Sequence, residues 1–286
     1  MAQPVKAEDV KKLRDMTGMP FGDCKTALVE ADADLKKAVD ILRSKNSKIA
    51  AGKAERETAE GRIGVHIHPE HKVAAIVEVR CESAPVAKSE QFLKLVNDLA
   101  EHLAHTVRGP VSVDEVLKQK LWNDPARTVQ DRINEVVGLI RENMKLARFK
   151  VMEQGPFGSY VHFDGTVGVL LQAEGDKPDQ ELLKDVSMHI TAKQPMAIRK
   201  EDVPAELIQK ETEIAKAQIA ADPKNANKPA NIVERIVEGK IKTWLAENVL
   251  LDQPFVKDDT KTIDQLMKGA KLSPKVFVRF KVGELA

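Results

Sequence analysis

With 286 residues the chain can hold about two domains with cores of their own, or several smaller modules. Its 45 lysines and arginines nearly cancel its 44 aspartates and glutamates, so no overall field favours nucleic acid, anionic lipid or an acidic substrate. Aromatic residues make up only 4%, with one tyrosine and two tryptophans, which leaves few platforms for stacking single-stranded bases and argues against a direct nucleic-acid partner.

The two cysteines, Cys24 and Cys81, form no close-spaced pair, so neither a disulfide framework nor a thiolate zinc site is expected. Residues 1–9 carry acids and no apolar core of signal-peptide type, and no later run approaches membrane-spanning length. A cytoplasmic protein without a membrane partner is the expectation.

Residues 5–45 predict three short helices, with one-sided apolar stripes at Val10, Leu13 and Met16, then Cys24, Ala27 and Leu28, then Leu35, Ala38, Val39 and Leu42. Thr17-Gly18-Met19-Pro20 ends the first helix, Gly22-Asp23 opens the second with Asp23 as a cap, and Asp34 or Asp32 caps the third. Met19, Pro20 and Phe21 fall in a loop, so Phe21 either folds back into the small bundle or presents a partner-binding surface. Leu13-Arg14-Asp15-Met16-Thr17-Gly18, Asp23-Cys24-Lys25-Thr26-Ala27-Leu28 and Ala38-Val39-Asp40-Ile41-Leu42-Arg43 together resemble the amino-terminal signature of the translation elongation factor Ts family. The resemblance implies a ubiquitin-associated-like module over 1–45 that docks on the nucleotide-binding domain of elongation factor Tu, with Leu13, Met19 and Phe21 as contact candidates.

Residues 46–61, rich in Ala, Lys, Glu and Gly, read as a solvated linker that leaves the first module mobile. Ile63, Val65 and Ile67 then alternate with Gly64, His66 and His68, and the polar turn Pro69-Glu70-His71-Lys72 leads into an apolar run over 73–79, a β-hairpin whose second strand is covered on both faces. After the corner Glu82-Ser83-Ala84-Pro85, Phe92, Leu93, Val96, Leu99, Ala100, Leu103 and Val107 mark a long amphipathic helix that Gly109-Pro110 stops. A short helix over 113–120 follows, Asp124-Pro125 is read as the start of another helix bearing Val129, Ile133, Val136, Val137, Ile140 and Met144, and residues 146–153 form a third strand. This is a first α+β subdomain, 62–153.

A second copy occupies 154–286. Strands flank the turn Asp164-Gly165, a helix buries Leu182, Leu183, Val186 and Ile190, and in both copies a histidine near the helix end (His102, His189) precedes a proline (Pro110, Pro195). Residues 275–282 alternate as its last strand. Into this copy an antiparallel helical hairpin is inserted over about 204–249; the stripe Ile232, Val233, Ile236, Val237, Ile241, Trp244 and Leu245 pairs either internally or with a second copy. Glu234-Arg235-Ile236-Val237-Glu238-Gly239-Lys240, Gln253-Pro254-Phe255-Val256 and Arg279-Phe280-Lys281-Val282-Gly283-Glu284 extend the family resemblance across nearly the whole chain. It implies that the hairpin serves partner or self contacts, as a homodimer or heterotetramer.

Without an acidic or cysteine partner at defined spacing, His66, His68 and His71 read as solvated hairpin histidines, and His102 and His105 as packed or solvated ones. Phosphate-cradling loops and serine nucleophile elbows are absent in recognisable form, so neither cofactor nor metal is expected and the chain is not read as an enzyme. The resemblance implies instead a guanine nucleotide exchange factor for elongation factor Tu, whose family carries Thr-Asp-Phe-Val at the corner and presses it into the partner's magnesium and phosphate region. Here Ser83, Ala84, Pro85 and Val86 stand there, so the carboxylate and the aromatic ring are missing. Exchange then leans on other contacts, with His162, Met188 and His189 as candidates, or the chain is a binding or chaperone-like relative with weakened exchange.

Overall fold

The computed structural model describes residues 4–68, 70, 72–222 and 228–284; Pro69 and His71 of the first predicted turn and residues 223–227 of the helical-hairpin connection lie outside the described residues. Two compact units result, the first holding 4–153, 163–168 and 280–284, the second 154–162 and 169–279.

The first unit begins with α1 (Ala7–Thr17), α2 (Phe21–Glu30) and α3 (Leu35–Ala51), whose stripes meet in a core of Val10, Leu13, Met19, Cys24, Ala27, Leu28, Ala38 and Leu42. Gly18 ends α1 at φ 69, a left-handed turn that costs glycine nothing. Asp34, not Asp32, caps α3, its carboxylate accepting from the Lys36 and Lys37 amides. Pro20 takes the cap position of α2, so Asp23 sits inside the first turn and its carboxylate pairs with Lys45 and Arg141 instead.

Next come β1 (Glu60–His68), β2 (Val73–Cys81), α4 (Ala84–Ala87), α5 (Glu90–Thr106), α6 (Val113–Lys118), β3 (Lys120–Leu121), β4 (Asp124–Thr128), α7 (Val129–Ile140) and β5 (Met144–Glu153). The sheet runs β1-β2-β5, antiparallel throughout, and central β2 is buried along nearly its whole length. Phe92, Leu95, Val96, Leu99 and Leu103 of α5 pack on it with Ile133, Val136 and Val137 of α7. Burying such a set of large aliphatic and aromatic side chains, at about 1.5–3 kcal/mol each, is the main term fixing this subdomain.

Three expectations are corrected here. Residues 46–51 do not open a solvated linker: they finish α3, because α3 lies along α7, with Asn46 buried, Asn134 donating to the Ser47 hydroxyl and Gly138 so close that a Cβ there would fall 2.1 Å from Asn46 Oδ1. Ile49 and Ala50 pack against the core formed by β2, α5 and α7, and this partner carries the helix on past Lys45. Asp124-Pro125 starts no helix; it opens β4, and Thr128 caps α7 in a capping box with Asp131. Finally, the Gly64, His66 and His68 face of β1 is not freely solvated: α5 lies against it, burying Gly64 and His68 and leaving His66 half-buried, so that a Cβ on Gly64 would meet Val96 at 2.5 Å and the His68 ring sits 4.3 Å from that of His105.

The second unit contains β6 (Phe157–Val161), β7 (Val167–Glu174), α8 (Gln180–Lys193), α9 (Ala205–Ala221), α10 (Ala230–Asn248), β8 (Pro254–Phe255), β9 (Asp258–Thr262), α11 (Ile263–Gly269) and β10 (Ser273–Lys281), with sheet order β10-β7-β6. Its core gathers Val169, Leu171, Leu183, Val186, Ile190, Leu250, Ile263 and Met267. The helical pair α9–α10 closes on Ala215, Ile219 and Val237, flanked by Val233, Ile236 and Ile241, so the stripe of α10 has an internal partner. The chain is α+β, a three-helix region followed by two hairpin-plus-helix units, the second with the inserted helical pair.

Candidate functional site

The corner between β2 and α5 is a short helical turn, α4, held from several sides. Glu142, one residue past the left-handed Arg141 that ends α7, accepts from the Ser83 amide at 3.1 Å and the Ser83 hydroxyl at 2.6 Å. Glu82 accepts from the Asn143 amide at 2.6 Å and lies 3.5 Å from Arg56, while Asn143 donates to the Ala54 and Arg56 carbonyls. On the other side Arg62 donates to the Ala87 carbonyl, and Ser89 caps α5 through Phe92. Charged acceptors make these bonds stronger than neutral ones, so the corner is fixed before any partner arrives.

What the corner presents is small. Ala84 and Pro85 are exposed, Val86 packs against the core below, and Ser83 is tied to Glu142. The neighbouring carboxylate, Glu82, faces inward to Asn143 and Arg56. Beneath lies the Cys81 thiol, fully buried, with its pKa pushed up to about 12 first by burial and then by the Glu142 charge. It stays protonated and is not a nucleophile.

The remaining candidates are placed unevenly. Leu13 and Met19 lie in the three-helix core, with 0% and 2% of their surface exposed, and Met19 sulfur accepts from Asn46. Phe21, half exposed at the start of α2, does not plug the bundle; Met19 fills that role, and Met16 is exposed beside it. In the second unit His162 is half-buried with Tyr160 OH 3.3 Å from its Nδ1, and Met188 is half-buried on α8. His189 is wholly buried. Its Nδ1 accepts from the Val256 amide and its Nε2 faces Gln253 Oε1 at 2.8 Å, an arrangement repeated by His102, whose Nδ1 accepts from the Trp122 amide and whose Nε2 faces Gln119 Oε1 at 3.0 Å. Burial lowers the pKa of both rings, which stay neutral. Both are structural clamps, and a buried His189 offers a partner nothing.

The residues that hold the corner were not visible in the sequence. Glu142 and Asn143 follow a helix, far along the chain from Ser83, and nothing in their spacing points back to it. Glu78 offered a weak signal, a lone acid in an apolar strand; it is 2% exposed and accepts from Arg148 and from the Gly283 amide. A set that could hold a cation, His66, Glu101 and His105, also emerges only from the fold. Among the described residues no helix is long and apolar enough to cross a membrane.

The family model described as Elongation factor TS matches residues 85–284. Elongation factor Ts of Aquifex aeolicus is 38% identical over 294 aligned residues that cover 100% of both chains. The protein of that name from a Nitratiruptor species is 41% identical, covering 98% of this chain and 93% of its own, and that from Halothermothrix orenii 39% with the same coverage. With the matched stretch running from Pro85 through α5, α7, β5, the second sheet and the helical pair, and with relatives 38–41% identical over nearly the whole chain, this chain belongs to the elongation factor Ts family.

Proposed function

We infer that the protein is a non-enzymatic guanine nucleotide exchange factor for elongation factor Tu, acting in translation elongation in the cytoplasm. The observation that carries this reading is the corner at residues 83–86: in a member of this family it occupies the position expected to press on the partner's magnesium and phosphate site, and it is both exposed and rigidly held. Such a factor makes and breaks no covalent bond. It binds best to the partner with nucleotide and magnesium displaced, and by linkage nucleotide weakens its own binding in equal measure. Phe21, Met188 and His162, each reachable from solvent, supply further contacts. The α9–α10 pair is a candidate surface for partner contact or for a homodimer or heterotetramer.

Ala84 and Pro85 favour a second reading, a relative that binds or chaperones elongation factor Tu with weakened exchange, since the corner offers neither a free carboxylate nor a ring. Release of labelled GDP from elongation factor Tu separates the two. The exchange reading expects release to accelerate with this protein. Ala84→Asp combined with Pro85→Phe should raise the rate further, on the order of tenfold for a coupling gain of about 1.4 kcal/mol. Unchanged release alongside intact binding leaves the binding-only reading, and no gain from the double variant removes the argument from the missing side chains.

A further inference from the structure

Two imidazoles and a carboxylate converge between β1 and α5, on a strand face that the hydropathy pattern assigns to solvent. Glu101 and His105, four residues apart, share one face of α5; His66 reaches toward them from β1. Their ligand atoms all lie within 4.8 Å of one another and each side chain is half-buried, so the group is gathered yet open to solvent. We propose that His66, Glu101 and His105 form a binding site for a zinc-class divalent cation that ties β1 to α5.

The donor set decides the class of ion. Two nitrogens and one carboxylate suit a borderline cation such as zinc and fail magnesium or calcium, which take six or more oxygens. Tetrahedral zinc with bonds of about 2.0–2.1 Å puts its ligand atoms about 3.4 Å apart, so the group closes by roughly an ångström, within reach of half-exposed side chains. Three protein ligands leave a fourth position for water. His68 neighbours the group, its ring centroid 4.3 Å from that of His105 and 6.4 Å from that of His66. Trp122 stacks on His105 with centroids 3.9 Å apart and planes 4° from parallel, fixing the ring and giving the site an optical reporter.

The location gives the ion a structural task. β1 pairs with β2, which ends at the corner, and α5 begins just after it. A cation bridging β1 and α5 ties the helix that follows the corner to the strand paired with β2, the strand that precedes it.

The test uses the full-length chain without an affinity tag, stripped with chelator and titrated with zinc by calorimetry, with cobalt as a spectroscopic stand-in. One ion per chain, a visible cobalt band of four-coordinate intensity and a change in Trp122 fluorescence are expected. Glu101→Gln and His105→Asn should each weaken zinc binding at least tenfold, whereas Glu206→Gln, on exposed α9 surface, should not change it. Glu101→Gln preserves shape, so a folding failure of the histidine variant leaves the test intact. Absence of stoichiometric zinc overturns the proposal, as does binding that survives both substitutions or that is lost with His71→Asn while Glu101→Gln leaves it unchanged.

Discussion

Replacing Glu142 by alanine tests whether the corner is held from the end of α7. The carboxylate accepts two hydrogen bonds from Ser83, and bonds to a charged group contribute about 1.5–3 kcal/mol each in favourable settings. Glu142 is half-buried and Ser83 recovers water once released, so about 2 kcal/mol is the working figure for the pair. At 1.36 kcal/mol per factor of ten, the opened corner becomes about 30-fold more populated. The buried Cys81 thiol reports that opening. Its pKa is pushed up to about 12 by burial and, secondarily, by Glu142, so the substitution both uncovers the thiol and removes a charge that disfavours the thiolate. Alkylation at pH 8, followed by peptide mass spectrometry, should show Cys81 modified about 30-fold faster or more. Cys24, buried in the three-helix core, should keep its rate. Glu142→Gln retains one acceptor oxygen and should fall between. A Cys81 rate within twofold of the parent, or equal acceleration of both thiols, would refute local control of the corner by Glu142.

Two further outcomes follow from buried groups. His102 and His189 have folded-state pKa values lowered by burial, so the unfolded chain binds more protons as pH falls below about 6.5; the stability they support is full above that pH and is lost as pH falls through the depressed folded values. Urea midpoints should therefore drop between pH 7.5 and 5, and by less in a His102→Gln variant. Gly138→Ala gains helix propensity of about 1 kcal/mol but drives a Cβ into Asn46, for a net cost of about 1–2 kcal/mol in thermal unfolding; Asn46→Ala in the same chain should restore it, and additive losses would contradict the contact.

Hydrophobic periodicity made the larger elements readable. Phe92, Val96, Leu99 and Leu103 recur at helical spacing and do line the buried face of α5; Asp164-Gly165 does turn a hairpin, with Gly165 at φ 74. Periodicity says that a face is buried, not against what. Residues 46–51 offer one large apolar side chain, Ile49, beside two alanines, and run on as helix because α7 lies alongside. The histidine face of β1 reads as wet because imidazole is polar, yet α5 covers it. Polar ties between distant segments, such as Ser83 with Glu142 or Glu78 with Arg148, leave no periodic trace. The corner's position between strand and helix was legible in the hydropathy pattern; its rigidity was not.

The repeated histidine clamp explains how one scaffold can carry different loops. In the first copy Gln119 faces His102 and its carbonyl accepts from the Val129 amide; in the second Gln253 faces His189 and accepts from the Ile263 amide at the same spacing. Thr128 and Thr262 close matching capping boxes, and β3–β4 and β8–β9 form matching short ladders. Each clamp joins the last turns of the long helix, α5 or α8, to the start of a later one, α7 or α11, leaving the opposite end of the long helix unconstrained by it. That opposite end is where the strand turns into the helix: the corner at residues 83–86 in the first copy, and the stretch from Gly175 to the Asp179 cap in the second. Since Ala84 and Pro85 are exposed while the clamp lies at the other end of α5, their side chains can change without touching the elements that fix the fold. On the exchange reading, then, substitutions at Ala84 and Pro85 are expected to alter GDP-release kinetics and to leave the urea midpoint unchanged.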